Sequence, residues 1–119
     1  MTPQQTAELA QLKSQLVHEM EAYMEEVGDS CGYTAEDIDA GTAIVAAYVD
    51  TLSRSAGPEG IRAEVQKTVM SLNALNEKCH GGLIETDQRE MICEIINKAA
   101  AYAGLEVGPD DLTEEWREW

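Results

Sequence analysis

Apolar residues recur along this chain at alternating three- and four-residue steps, broken only at short clusters of Gly, Pro, Ser, Asp and Thr. Steps of that size place one side chain per turn on a single face, so each unbroken run predicts an amphipathic helix. The firmest run passes through Ile61, Val65, Thr68, Leu72, Leu75 and Cys79. It ends at Gly81-Gly82, and Thr86-Asp87-Gln88-Arg89-Glu90 opens the next helix, with Asp87 and Glu90 spaced as a capping box. That helix, about Asp87 to Ala103, buries Met91, Ile92, Ile95, Ile96, Ala99 and Ala103, and Gly104 stops it. The whole stretch from Ile61 to Leu105 therefore predicts two helices folded back on each other.

The first half follows the same rule. Thr2-Pro3 offers a helix start at Pro3. Leu9, Leu12, Leu16, Met20, Tyr23 and Val27 then share one stripe, while Glu8, Glu19, Glu21, Glu25 and Glu26 lie off it. Gly28 ends this helix, and Gly28 to Thr34 is loop by composition. Thr34 caps a second helix, about Ala35 to Ser55, with Asp37 at its third position. Ile38, Gly41, Val45, Tyr48, Val49 and Leu52 form its buried face, and its small apolar middle suits the central helix of a bundle. Ser55 to Gly60 is a turn. After Gly108-Pro109, Leu112, Trp116 and Trp119 are spaced to share the face of a short terminal helix. The pattern predicts an all-α protein: one helical domain over 1–119, an antiparallel four-helix up-down bundle with a short C-terminal helix.

Composition changes this picture little, and charge changes it more. The 119 residues include no Phe, so the core falls to Leu, Ile, Val, Met and Ala with a few Tyr and Trp. Twenty-three acids against eight bases give a formal net charge of −15. Met1 to Ser53 holds ten acids and one base, Lys13; Arg54 to Leu105 holds seven against six; Glu106 to Trp119 holds six against Arg117. Such a field repels nucleic acid and anionic membrane and steers the molecule towards basic surfaces. Three cysteines, Cys31, Cys79 and Cys93, form no disulfide framework, which suits reduced thiols in a cytoplasmic protein. No apolar leader is visible, and the longest apolar run, Ala43 to Val49, is too short to span a bilayer.

Candidate chemistry is sparse. Cys79-His80 is the only close pair of soft ligands, and adjacent residues chelate poorly; Glu77 and His80 make a single Glu-x-x-His where a di-metal bundle needs two. Cys79 and Cys93 read better as small core residues. An EF-hand started at Asp29 fails, because Cys31, Tyr33 and Thr34 occupy ligand places. No phosphate loop or nucleophile elbow is present. His18 reads as an exposed helical residue, and His80, though in a Gly-rich loop, lacks a partner for acid–base work. No enzyme, metal or cofactor is expected.

The acids remain. Helix propensity and solubility account for part of them, but not for ten acids against one base over half a chain. The cluster Glu19, Glu25, Glu26, Asp29, Glu36, Asp37 and Asp39 around the first loop, with Tyr33 as a central anchor, is the candidate binding face. Trp116 and Trp119 are secondary candidates, against the plainer reading that they dock on the bundle.

Leu83-Ile84-Glu85-Thr86-Asp87-Gln88-Arg89-Glu90 and Thr113-Glu114-Glu115-Trp116-Arg117-Glu118-Trp119, with Leu72-Asn73-Ala74-Leu75-Asn76, resemble a signature of small uncharacterised bacterial proteins. That family is an all-helical domain of unknown function, and the resemblance covers much of the second half. It implies a bacterial, cytoplasmic helical domain and brings no active site. It also suggests a polar network of Glu85, Asp87, Arg89 and Arg117 between hairpin loop and tail. The leading expectation is an immunity or inhibitor protein that plugs a basic site on a toxin. A self-associating homodimeric adaptor and a small-ligand or metal-binding bundle using Cys79, His80 and Cys93 are the rivals.

Overall fold

The computed structural model describes residues 1–28, 31–54, 57–106, 108 and 111–119. Four helices stand among them: α1 (Pro3–Val27), α2 (Ala35–Arg54), α3 (Pro58–Lys78) and α4 (Thr86–Tyr102). They form an all-α four-helix bundle around one apolar core.

Local chemistry sets the boundaries. At the start of α1, Gln5 N–H donates to Thr2 Oγ1 (3.1 Å) and Thr2 N–H donates to Gln5 Oε1 (2.9 Å), a reciprocal box with Pro3 at the first position. Gly28 ends the helix with φ +55°, which only glycine adopts without strain. Asp37 sits at the third position of α2 as expected, its carboxylate accepting from Thr34 N–H at 2.9 Å. α4 starts one residue before expectation, and its cap at Glu85 lies two residues before the expected Asp87. Leu83 and Ile84 both insert into the core, so the chain turns at Glu85, whose N–H donates to Gln88 Oε1 at 3.1 Å. Glu85 and Gln88 thus do the work expected of Asp87 and Glu90.

The stripes are buried along their centres, whereas Leu12, Tyr23, Val27, Val49, Leu75, Met91 and Ala103 are only partly covered. Leu9, Leu16 and Met20 of α1, Ile38, Val45, Tyr48 and Leu52 of α2, Ile61, Val65 and Leu72 of α3, and Ile92, Ile95 and Ile96 of α4 are buried. Each such side chain contributes about 1.5–3 kcal/mol on leaving water. Polar contacts fix the packing: Tyr48 Oη donates to Ile96 O at 2.8 Å, joining α2 to α4, and Glu8 takes Lys98 Nζ at 2.8 Å and the Tyr102 hydroxyl, joining the start of α1 to the end of α4.

The relation between α3 and α4 is the main departure. Among the described residues α2 lies close against each of the other helices and α1 against α4, but no comparable approach joins α3 to α4. The tail, Asp111 to Trp119, bridges them instead. Asn73 of α3 donates to Trp116 O (2.8 Å) and accepts from Glu118 N–H (3.1 Å); Asn97 of α4 accepts from Leu112 N–H (3.0 Å) and donates to Asp111 (3.2 Å). Leu112 to Trp116 are turns where the spacing suggested a short helix. Asp111 Oδ1 accepts from both the N–H and the hydroxyl of Thr113 at the start of this segment.

Candidate functional site

The last turns of α1 and the first turn of α4 run side by side and leave an open groove of about 470 Å³. Glu19, Ala22, Tyr23 and Glu26 line it from α1, and Glu85, Thr86, Asp87 and Gln88 from the other side. The volume is in the range of ligand-binding clefts, and the lining is mostly polar. None of its four carboxylates is ion-paired among the described residues. Among the described residues the ion pairs join Arg54 to Asp50, Lys78 to Asp37, Lys98 to Glu8 and Glu94, and Arg117 to Asp111.

Helix stability explains one side of this groove and not the other. Asp87 lies in the first turn of α4, where the helix dipole favours an acid. Glu25 and Glu26 lie in the last turn of α1, where the dipole disfavours acids, and no basic residue offsets them there. Tyr23 is half-buried at the edge of the groove, and its ring stacks on that of Tyr33, centroids 6.1 Å apart and planes 16° from parallel. Tyr33 in turn donates to Met20 O at 2.9 Å, and burial pushes its phenol pKa well up. The groove therefore has a rigid aromatic edge under a negative field.

The expected site residues divide. Glu19 and Glu26 are in the groove; Glu25 is exposed beside it, and Glu36 and Asp39 are exposed on the first turns of α2. Asp29 lies outside the described residues. Tyr33 is 4% exposed, so it supports Tyr23 from beneath and offers a partner no anchor of its own. Asp37 is buried, engaged by Thr34 and Lys78. Glu85 and Asp87 complete the groove although the sequence placed them elsewhere, because no local pattern records that the end of α1 lies beside the start of α4.

The network suggested for Glu85, Asp87, Arg89 and Arg117 is not formed among the described residues. Arg117 instead faces Asp111 (3.5 Å), donates to Trp119 O (2.8 Å) and lies over the Trp119 ring at 5.5 Å. Trp116 and Trp119 both pack against the core. Cys79 is buried, with its thiol pushed up by burial, and Cys93 lies 3.4 Å from the Thr113 hydroxyl. Among the described residues no three His, Cys, Asp or Glu side chains converge as a metal site, and no helix is long and apolar enough to cross a membrane. A smaller, mainly apolar hollow of about 190 Å³ is lined by Thr6, Leu9, Ala10 and Lys13 of α1 and Ala46, Val49, Asp50 and Ser53 of α2.

No family model, curated protein or solved structure matches the chain.

Proposed function

We propose that this chain is an acidic protein-binding domain that receives a basic surface of another protein in the groove between α1 and α4. The observation that carries the reading is the set of four carboxylates, Glu19, Glu26, Glu85 and Asp87, with no cationic partner among the described residues. Like charges held together cost self-repulsion, and a cationic partner would relieve it. Tyr23, backed by Tyr33, offers a flat ring beside those acids, on which a guanidinium or a lysine stem packs well. An immunity or inhibitor protein acting on a toxin with a basic cleft is the most concrete form of this role. It needs no catalysis or cofactor of its own, and it suits a single domain of a bacterial cytoplasm.

The contacts also support an antiparallel up-down path. The start of α1 meets the end of α4 through Glu8 and Lys98, and the start of α2 meets the end of α3 through Asp37 and Lys78. The self-associating alternative has less to rest on, because Met70 is the one large apolar side chain exposed among the described residues.

The test compares the native chain with a Glu19→Gln/Glu26→Gln/Asp87→Asn variant as baits in bacterial lysate at low and high salt. The expected result is a near-stoichiometric basic partner, held at low salt, weakened at high salt and lost from the variant. Equal capture by both baits would remove the groove from consideration.

A further inference from the structure

The loop that carries Cys31 passes directly over the backbone of Cys79 at the C-terminal end of α3. A Cβ built on Gly32 would stand 3.3 Å from Cys79 O, tighter than ordinary contact, so the missing side chain is what lets the two backbones approach. Asp37 and Lys78, 3.1 Å apart, close the same seam on its other side. Residues 31–37 and 78–79 are thus held against each other at two points.

Cys31 is half-buried and packs against the core, of which Cys79 is a buried member. The two thiols also share one electrostatic environment. Burial first, and then the charge of Asp37, push the Cys79 pKa up, and a Cys31 thiolate adds to that push. A disulfide needs Cα atoms about 4.4–6.8 Å apart, and Cys31 is a single Cα step of about 3.8 Å from Gly32. Cys31 lies outside both α1 and α2, so turning its sulfur onto Cys79 breaks no bond inside either helix.

We propose that Cys31 and Cys79 are a redox pair, reduced at rest and joined as a disulfide when the protein meets a peroxide. Cys31 is the more accessible sulfur and reacts first. Its thiolate attacks one peroxide oxygen, the O–O bond breaks, and the departing hydroxide takes up a proton as water, leaving a sulfenic acid. The Cys79 sulfur then attacks the Cys31 sulfur. The S–O bond breaks, and the departing hydroxide leaves as water with the proton that Cys79 gives up. Two thiols lose two electrons and two protons, and one peroxide becomes two waters. The new bond closes a loop that holds all of α2 and α3, and it restrains the unfolded chain. The pair stands on the seam between this loop and α3 and not on the α1–α4 groove, so either reading can fail alone.

The experiment treats the reduced, folded full chain with hydrogen peroxide, then unfolds it and blocks the remaining thiols with N-ethylmaleimide. The expected intact mass shows the loss of two hydrogens and one blocked thiol where the reduced chain has three. Peptide mapping should place the block on Cys93 and join the Cys31 and Cys79 peptides within one chain. The same treatment in urea should spread over the other pairs. The oxidised chain should melt several degrees higher than the reduced one, and dithiothreitol should reverse the shift. Cys93→Ser should oxidise as the native chain does, and Cys31→Ser should keep Cys79 reduced. The native-chain map stands by itself should either variant fold poorly. Sulfinic acid at Cys31 with Cys79 still free, or a link that includes Cys93 or a second chain, would overturn the assignment.

Discussion

The carboxylate of Asp37 lies 3.1 Å from the ammonium of Lys78, tying the first turn of α2 to the last turn of α3. The same carboxylate accepts from Thr34 N–H, and that bond, followed by the one from Lys78, holds its pKa below the ordinary 3.8. Lys78 is largely exposed, so the ion pair itself contributes modestly. Asp37→Ala should cost about 2 kcal/mol, and Asp37→Asn, which keeps an acceptor for Thr34, about 1 kcal/mol. The folded-state pKa is depressed, so the contribution is fully present above 3.8 and is lost as pH falls through the lower folded value. Urea midpoints of the native chain and Asp37→Asn should differ at neutral pH and converge in acid.

Asn76 should prove more important for stability than any exposed acid of the groove. Asn76→Ala strands the buried N–H groups of Leu83 and Ile84 and should cost about 3 kcal/mol. Chemical denaturation gives the value. A cost within the range of ordinary surface substitutions would show that the loop has another anchor.

The tail should act as a cover for Cys93. Its sulfur lies 3.4 Å from the Thr113 hydroxyl, and burial pushes its thiol pKa up. Asn73→Ala removes both clasping bonds to Trp116 and Glu118. It should therefore accelerate labelling of Cys93 by a thiol reagent several-fold while leaving the buried Cys79 slow. Peptide mapping of the labelled protein distinguishes the two.

Gly41 should tolerate a methyl group despite being buried. A Cβ there would meet Leu75 Cδ2 at 3.4 Å and Leu83 Cδ2 at 3.9 Å, ordinary contact with mobile side-chain ends. Alanine in mid-helix gains about 0.5–1 kcal/mol over glycine. Gly41→Ala should raise the melting temperature by a few degrees, and Gly41→Leu should lower it.

The helices were legible in the sequence because one side chain per turn reports burial directly: Leu9, Leu16 and Met20, or Ile61, Val65 and Leu72, are buried where their spacing says. The polar framework was not. Asn73 and Asn76 carried no signal for burial in the sequence, and they are buried because backbone groups of other segments need their amides. Such pairing depends on which segments meet, and no local pattern records it. The tail misled for a related reason. Leu112, Trp116 and Trp119 have helical spacing, but the segment is shaped by Asp111, Thr113 and the clasp of Asn73. Of the acidic cluster singled out by charge density, Glu19 and Glu26 line the groove between α1 and α4. Asp37 and Tyr33 carried the same kind of signal, yet the structure uses them internally.

Because α3 rests on α2 and reaches α4 through the tail, it is the helix with the fewest independent attachments. In a native-state hydrogen-exchange experiment α3 and the tail should open together as one cooperative unit, leaving α1, α2 and α4 protected. Asn76 belongs to that unit and holds the N–H groups of Leu83 and Ile84, so the loop that leads into α4 should lose its protection at the same moment as α3.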